Sequence, residues 1–290
     1  MKTTMSKQLL FLAAFCCMAA SVAAQTVDVT LQCGQSYTIN STAPATDASG
    51  LTYRWLENGS PVTGAVANYT VPATKHAGTY TYIRQAKTED CPDWQNSNAF
   101  TVAVVNPDDG TCIAGTTWAK YNVDVPGSFT TSSYDLGMYY KWDSLKYIPP
   151  TAEVNNWDHN ASPNNVWSDA TNPCPDGWRL PTRLEWSLLV HASPGWFNNY
   201  CLNKNPIWDR SVTPNVVVFG PMPTDLQHPT ERNVILPCGP NTMLDSVTPN
   251  WNNCGYWASE PYMMTTQNRD MHLCLMAAVT WGVAGVRCVR

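Results

Sequence analysis

Apolar and polar residues alternate with a two-residue period through the first third of the chain. In "LTYRWLENG" the positions Leu51, Tyr53 and Trp55 stand against Thr52 and Arg54, and the run stops at Asn58-Gly59, a turn pair. "HAGTYTYIRQ" repeats the period with Tyr80 and Tyr82, and "NAFTVAVV" does so with Phe100, Val102 and Val104. Short strands at this spacing, with turn signals between them, predict a β-sandwich over residues 25–106. "NPDDGTC" (106–112) is polar and turn-rich, and marks a boundary. Beyond it the pattern turns irregular, rich in Pro, Asn and Trp, across residues 107–290, long enough for one substantial core.

One helix is clearly signalled there. In "CPDGWRLPTRLEW" (174–186), Thr182 and Glu185 form a capping box, and Pro181 holds an extended approach. The spacing predicts a helix with Leu184, Leu188 and Leu189 on one face, flanked by Trp186 and Val190, ending near Ser193-Pro194-Gly195. The cap gives Glu185 a sufficient structural role. "GYWASE" (255–260) and "WGVAGVRCVR" (281–290) read as strands, the second with Val286, Cys288 and Arg290 on one face and Arg287 and Val289 on the other.

The first residues change the compartment. Lys2 and Lys7 precede an apolar run, Leu9 to Ala20, too short to cross a bilayer comfortably, and small residues lead to Gln25. This predicts a signal peptide over 1–24 and export to the cell surface, the outer membrane or the medium. Phe15 before Cys16 argues against lipidation, and no second run of about 18 apolar residues predicts a membrane span. Loss of the leader removes two lysines and no acids, leaving 15 Lys and Arg against 22 Asp and Glu, a net charge of −7. An acidic chain without basic runs excludes nucleic acid as a partner.

Export also sets how the nine cysteines outside the leader are read. They predict disulfides rather than metal ligands, and no C-x-x-C pair occurs. Cys33 and Cys91 are expected to staple the sandwich. Cys174, just before the helix, and Cys288, in the last strand, are expected to join the ends of the second domain. Proximity along the chain suggests Cys201 with Cys238 and Cys254 with Cys274. Cys112 is then the odd thiol, available together with the sandwich for self-association.

Two resemblances follow from these residues. Trp55 in an early-middle strand and "AGTYTY" in a late one resemble immunoglobulin-like modules of bacterial surface proteins, although Tyr82 stands where the late-strand cysteine usually is. "CPDGWRLPTRLEW", "GYWAS" and the terminal "GVRCVR" closely resemble the Fibrobacter succinogenes major paralogous domain of exported Bacteroidetes and Fibrobacteres proteins, with Trp257-Ala258-Ser259 where members usually have Trp-Ser-Ser. That family is similar to the C-type-lectin-like fold and, more distantly, to formylglycine-generating enzymes and to the variable proteins of diversity-generating retroelements. The resemblance implies an α+β protein: an immunoglobulin-like sandwich, then a C-type-lectin-like domain with termini close together and a loop-rich face displayed outward. It supplies no activity to carry over.

No catalytic constellation accompanies the fold. There is no Gly-x-Ser-x-Gly elbow, no His-Glu-x-x-His and no phosphate-cradling loop, and the five histidines are scattered, so no enzyme activity is expected. No cofactor is expected either. Calcium is the one candidate, with Asp158, Asn160, Asn164 and Asp169 offering hard oxygen ligands, types that turns also use.

What remains is recognition. "NWNNCGYW" and "EPYMMTTQNRDMH" set Trp251, Asn252, Asn253, Tyr262, Met263, Met264, Asn268, Asp270 and His272 close in sequence. Tyr and Trp offer rigid amphipathic area, Asn adaptable hydrogen bonding, and Met re-packs readily. Trp257 and Trp281 are assigned to the core. The expected function is an adhesion or binding protein for a glycan or an extracellular protein. The alternatives are a structural subunit of a surface assembly, such as a fimbria, and a retroelement-diversified receptor varying over 251–283. "DSL" (143–145) and "DSV" (245–247) match the short Bacteroidetes O-glycosylation triplet.

Overall fold

A computed structural model describes residues 27–40, 51–62, 68–89, 92–150, 160, 162–191, 196–197, 201–203, 207–209, 214, 216–220, 233–241, 248–253, 255–260, 262–267, 272–277 and 283–290; for the strands between 196 and 209, 239 and 253, and 262 and 277 only the backbone course is described. The chain divides into two compact units. Unit 1 takes residues up to Leu31, Ser36–Pro72 and Gly78–Val104; unit 2 takes Gln32–Gln35, Ala73–Ala77 and Val105–Arg290. The boundary thus falls close to the polar break, but two short turns of the N-terminal third belong with unit 2.

In unit 1 the strands are β1 (Val27–Gln32), β2 (Tyr37–Ile39), β3 (Thr52–Glu57), β4 (Ser60–Val62), β5 (Tyr69–Val71), β6 (Gly78–Lys87) and β7 (Gln95–Val105). They form a five-stranded sheet in the order β1-β7-β6-β3-β4 and a two-stranded sheet of β2 and β5. Asn58 and Gly59 both take positive φ, 48° and 81°, which makes the two-residue turn that pairs Glu57 with Ser60. Asn58 Oδ1 also accepts the Thr81 N–H at 2.9 Å. The two sheets meet at Tyr69, whose ring lies 5.8 Å from Trp55 and 5.4 Å from Tyr82. Trp55, Tyr82, Phe100, Val102 and Val104 are buried, so the two-residue period marks the face turned inward.

Unit 2 begins with β8 (Gly110–Ile113) and β9 (Thr116–Asn122), followed by β10 (Tyr139–Lys141) and β11 (Tyr147–Ile148), a 3-10 turn at Asp169–Thr171, and α1 (Arg183–His191). Among the described residues α1 is the one α-helix, so the protein is mostly β-sheet with an α+β composition. The strands after it are β12 (Trp196–Phe197), β13 (Cys201–Asn203), β14 (Ile207–Asp209), β15 (Val216–Phe219), β16 (Val234–Pro237), β17 (Gly239–Asn241), β18 (Thr248–Asn253), β19 (Gly255–Trp257), β20 (Tyr262–Gln267), β21 (His272–Ala277), β22 (Val283–Ala284) and β23 (Arg287–Val289). First and last strands share one sheet, ordered β23-β9-β8, which brings the ends of the unit side by side.

The helix entry is fixed by reciprocal bonds. Thr182 N donates to Glu185 Oε2 at 2.8 Å, and Glu185 N donates to Thr182 Oγ1 at 3.2 Å. Arg179 grips the same carboxylate with both terminal nitrogens, at 2.8 and 2.6 Å. A second carboxylate, Glu260, accepts the Arg183 N–H at 2.8 Å, favourable at a helix N-terminus. The buried face of α1 is Trp186, Leu189 and Val190, at the i, i+3, i+4 spacing. Leu184 is 67% exposed, which corrects the face expected for it: one position off the stripe turns it outward.

The motif around Cys174 is structural throughout. Cys174 is bonded to Cys288, and Arg179 and Val289 exchange backbone bonds at 3.0 and 2.8 Å, so the approach to α1 pairs with the last strand. Two clusters fill the unit. One gathers Trp118, Trp186, Leu189, Phe219, Leu236 and Tyr256; the other gathers Trp142, Trp167, Trp178, Trp257 and the Cys174–Cys288 pair. Trp186 Nε1 donates to Trp257 O at 3.2 Å and Trp257 Nε1 to Tyr140 O at 2.8 Å, so these indoles are buried without losing their donors.

The disulfides differ from expectation at one point. Cys33 is bonded to Cys112, not to Cys91, because the turn that carries Cys33 belongs to unit 2. Cys112 is therefore not the odd thiol, and self-association through it is withdrawn. Cys91 and Cys254 lie outside the described residues. Cys238 is disulfide-bonded, and the register of β13 and β21 sets Cys201 directly opposite Cys274. Two disulfides placed across the chain fit an oxidising, non-cytoplasmic compartment. Among the described residues no helix is long and apolar enough to cross a membrane.

Candidate functional site

The segment singled out for recognition leaves the core and returns to it at one place. Gly285 N donates to Gly255 O at 2.9 Å, and Trp257 N donates to Gly285 O at 3.1 Å. Tyr256 and Gly285 form a parallel bridge. The approach is close at Gly285, where a Cβ would stand 3.0 Å from the Tyr256 ring. The chain between these clasped points, 258–282, carries the antiparallel hairpin of β20 and β21. β20 pairs with β19, and β21 pairs with β13, giving a sheet ordered β12-β13-β21-β20-β19. The chain here forms strands where loop residues were expected.

Register locates the candidates. Trp251, Asn252 and Asn253 lie in β18, which pairs with β17 and comes within 8 Å of β20 between Cα positions. Tyr262 stands opposite Ala277 at the base of the hairpin, and Met263 lies between Trp257 and Met276. His272 stands opposite Gln267 at the far end. Tyr262 and Gln267 stand five steps apart along β20, roughly 17 Å at the usual rise. The hairpin therefore holds the candidates in a row rather than in one cluster. Asn268 and Asp270 lie outside the described residues, as does Trp281. Thr265, Thr266 and Gln267 share the hairpin with the candidates; "YMMTTQ" runs three apolar residues into three polar ones, so no two-residue period marks it as a strand.

The candidate calcium loop is organised differently. Its centre is Asp143, at φ 49°, whose carboxylate accepts the Ser168 N–H at 3.0 Å, the Thr171 hydroxyl at 2.5 Å and the Ser162 hydroxyl at 3.2 Å, with the Asn164 side-chain amide as a fourth donor. Burial would raise the Asp143 carboxyl, but these donors outweigh it and hold it below the usual carboxylate range. Asn164 is thus committed as a donor to Asp143, Asp169 opens the 3-10 turn, Asn160 is exposed and Asp158 lies outside the described residues. No group of three or more His, Cys, Asp or Glu occurs among the described residues.

Sequence reasoning missed a polar column in the core. Arg287 is fully buried, donating to Ala119 O at 2.9 Å and Ile235 O at 2.5 Å. Burial pushes its guanidinium down to about 10, with Tyr256 opposing the shift. The Tyr256 hydroxyl donates to Pro237 O at 2.8 Å and accepts from Asn122 Nδ2 at 3.0 Å; burial pushes it up to about 12. Nothing in "GVRCVR" marks Arg287 as buried, since both residue parities of that strand turn out to be covered.

No family model matches the chain, and no curated protein matches it. A crystal structure of a quinoprotein alcohol dehydrogenase-like protein from Bacteroides thetaiotaomicron is 15% identical over 36% of this chain, with a TM-score of 0.25. The chain spans about a fifth of that protein's length (21%), and nothing about function follows from the likeness.

Proposed function

We propose that the protein is an exported binding protein, in which an immunoglobulin-like spacer precedes a C-type-lectin-like domain that recognises a glycan or an extracellular protein. The observation that supports this reading is the clasp of Gly255 and Gly285. A core filled by Trp residues and closed by Cys174–Cys288 secures both ends of the segment between them. The hairpin of β20 and β21 lies within that segment, and β18 leads into it, so these strands are carried on a secured base. Rigid elements hold binding residues more precisely than loops do. Tyr, Trp, Asn and Met on such strands match the chemistry of adaptable recognition surfaces.

The test is a binding screen of the purified protein against glycan arrays and extracellular-matrix proteins, with calcium and with chelator. Binding that is lost in Trp251→Ala or Tyr262→Ala, with unfolding midpoints unchanged, supports the reading. No binding in either condition, or binding indifferent to both variants, sinks it.

A further inference from the structure

A different part of unit 2 carries a cleft. Between β9 and β10 the chain makes a loop whose course is fixed from several sides. Val123 bridges Phe129, Thr130 N donates to Asn122 O at 2.9 Å, and Met138 N donates to Val123 O at 3.1 Å. Phe129 and Trp178 meet at right angles with ring centres 5.6 Å apart. Gly137 takes φ 67°, and a Cβ there would stand 2.1 Å from Val123 O, so only glycine passes.

The polar column ends on this loop. Asn122, fully buried, donates through Nδ2 to the carbonyls of Asp135 and Leu136 at 3.1 and 3.0 Å, the same nitrogen that bonds Tyr256. Buried polar groups cost stability unless hydrogen-bonded; Asn122 Nδ2 has its partners, while Asn122 Oδ1 and Arg287 Nε are buried without one. The bonds from Nδ2 hold the wall of a cleft of about 450 Å³, the size of a small-molecule site.

The lining points to the ligand. It contains Asp124 and Asp135, Thr130 and Thr131, Tyr134 and apolar walls that include Pro150, and among the described residues no Lys, Arg or His. Two aspartates in one lining repel an anion, and carboxylates accept hydrogen bonds from hydroxyl donors. The aromatic ring and the proline suit the C–H face of a pyranose, as amphipathic rings suit half-polar partners. We propose that this cleft binds a non-anionic sugar unit, with its hydroxyls donating to Asp124 and Asp135 and its C–H face on Tyr134. The described lining residues fall at 124–150 and at Pro214, on other elements than β18, β20 and β21.

The experiment is titration of the purified protein with neutral methyl glycosides and with uronic- and sialic-acid counterparts, read by calorimetry and ligand-observed NMR. The expected result is saturable binding of a neutral sugar and none of the acidic ones. Asp135→Asn, at an exposed side chain, is expected to weaken that binding about tenfold with the unfolding midpoint unchanged. Tyr134→Ala should do at least as much, and Tyr262→Ala nothing. No neutral sugar bound, equal binding of acidic sugars, or loss through Tyr262→Ala but not Asp135→Asn would each overturn the proposal. The last of these would move sugar binding to the hairpin and leave the binding function standing.

Discussion

Cys33 is bonded to Cys112, 79 positions later, and both belong to unit 2 although one precedes most of unit 1. The bond closes a long loop in the unfolded chain, for which the chain-entropy model gives about 4 kcal/mol. A Cys33→Ser/Cys112→Ser variant is expected to lose roughly that much in a urea titration without reductant. A loss under about 1 kcal/mol would show that the unfolded chain gains little freedom from the cut.

The register of β13 and β21 yields a second prediction about the cysteines. Cys201 and Cys274 are direct partners, and opposed antiparallel positions lie about 4.5–5.5 Å apart between Cα atoms, a span a disulfide bridges. Peptide mapping after alkylation is expected to recover a Cys201–Cys274 link instead of the pairs inferred from chain proximity. Recovery of Cys254–Cys274 would defeat it.

The cysteines show how far the sequence could be read. Cys174 and Cys288 were legible because one shortly precedes the well-marked helix and the other sits in the last strand, and the pairing of that strand with the helix approach brings them together. Cys33 was assigned to Cys91 because chain order places both in the sandwich; which turn folds with which unit is a long-range fact that no local pattern carries. The same division holds for the helix. The capping box is a local signal of four residues and is visible in the sequence, whereas the burial of Leu189 over Leu184 depends on what packs against α1. Among the candidate residues, sequence proximity grouped Tyr262 with His272, and hairpin register separates them.

Two carboxylates predict the acid limb of stability. Burial opposes ionisation of Glu185 and of Asp143, yet Arg179 and Thr182 hold the first below its ordinary value, and Ser168, Thr171, Asn164 and Ser162 hold the second. A carboxyl depressed in the folded state binds fewer protons there than in the unfolded chain. Its contribution is therefore complete above the ordinary value, about 4, and is lost as pH falls through the lower folded value. Urea midpoints are expected to stay level from about pH 7 to 5 and to drop steeply below about 4. Glu185→Gln with Asp143→Asn should lower the midpoint at neutral pH and flatten the acid drop. An acid limb unchanged in the double variant would assign acid sensitivity to other groups.

Two glycines on the cleft loop separate backbone conformation from close approach. Gly127 and Gly137 both take positive φ, 81° and 67°. A Cβ at Gly127 would meet nothing within 4 Å, while one at Gly137 would stand 2.1 Å from Val123 O. Gly127→Ala therefore carries only the conformational cost, about 1–2 kcal/mol. Gly137→Ala adds a backbone displacement that pushes the loop away from Asn122, raising the cost to about 2–4 kcal/mol. Thermal unfolding should rank the two variants in that order. Sugar binding should survive Gly127→Ala and fail in Gly137→Ala at temperatures where both proteins remain folded. Equal stability loss in the two variants would mean that the loop yields at Gly137 without strain, and that the carbonyls of Asp135 and Leu136 do not depend on it for their place.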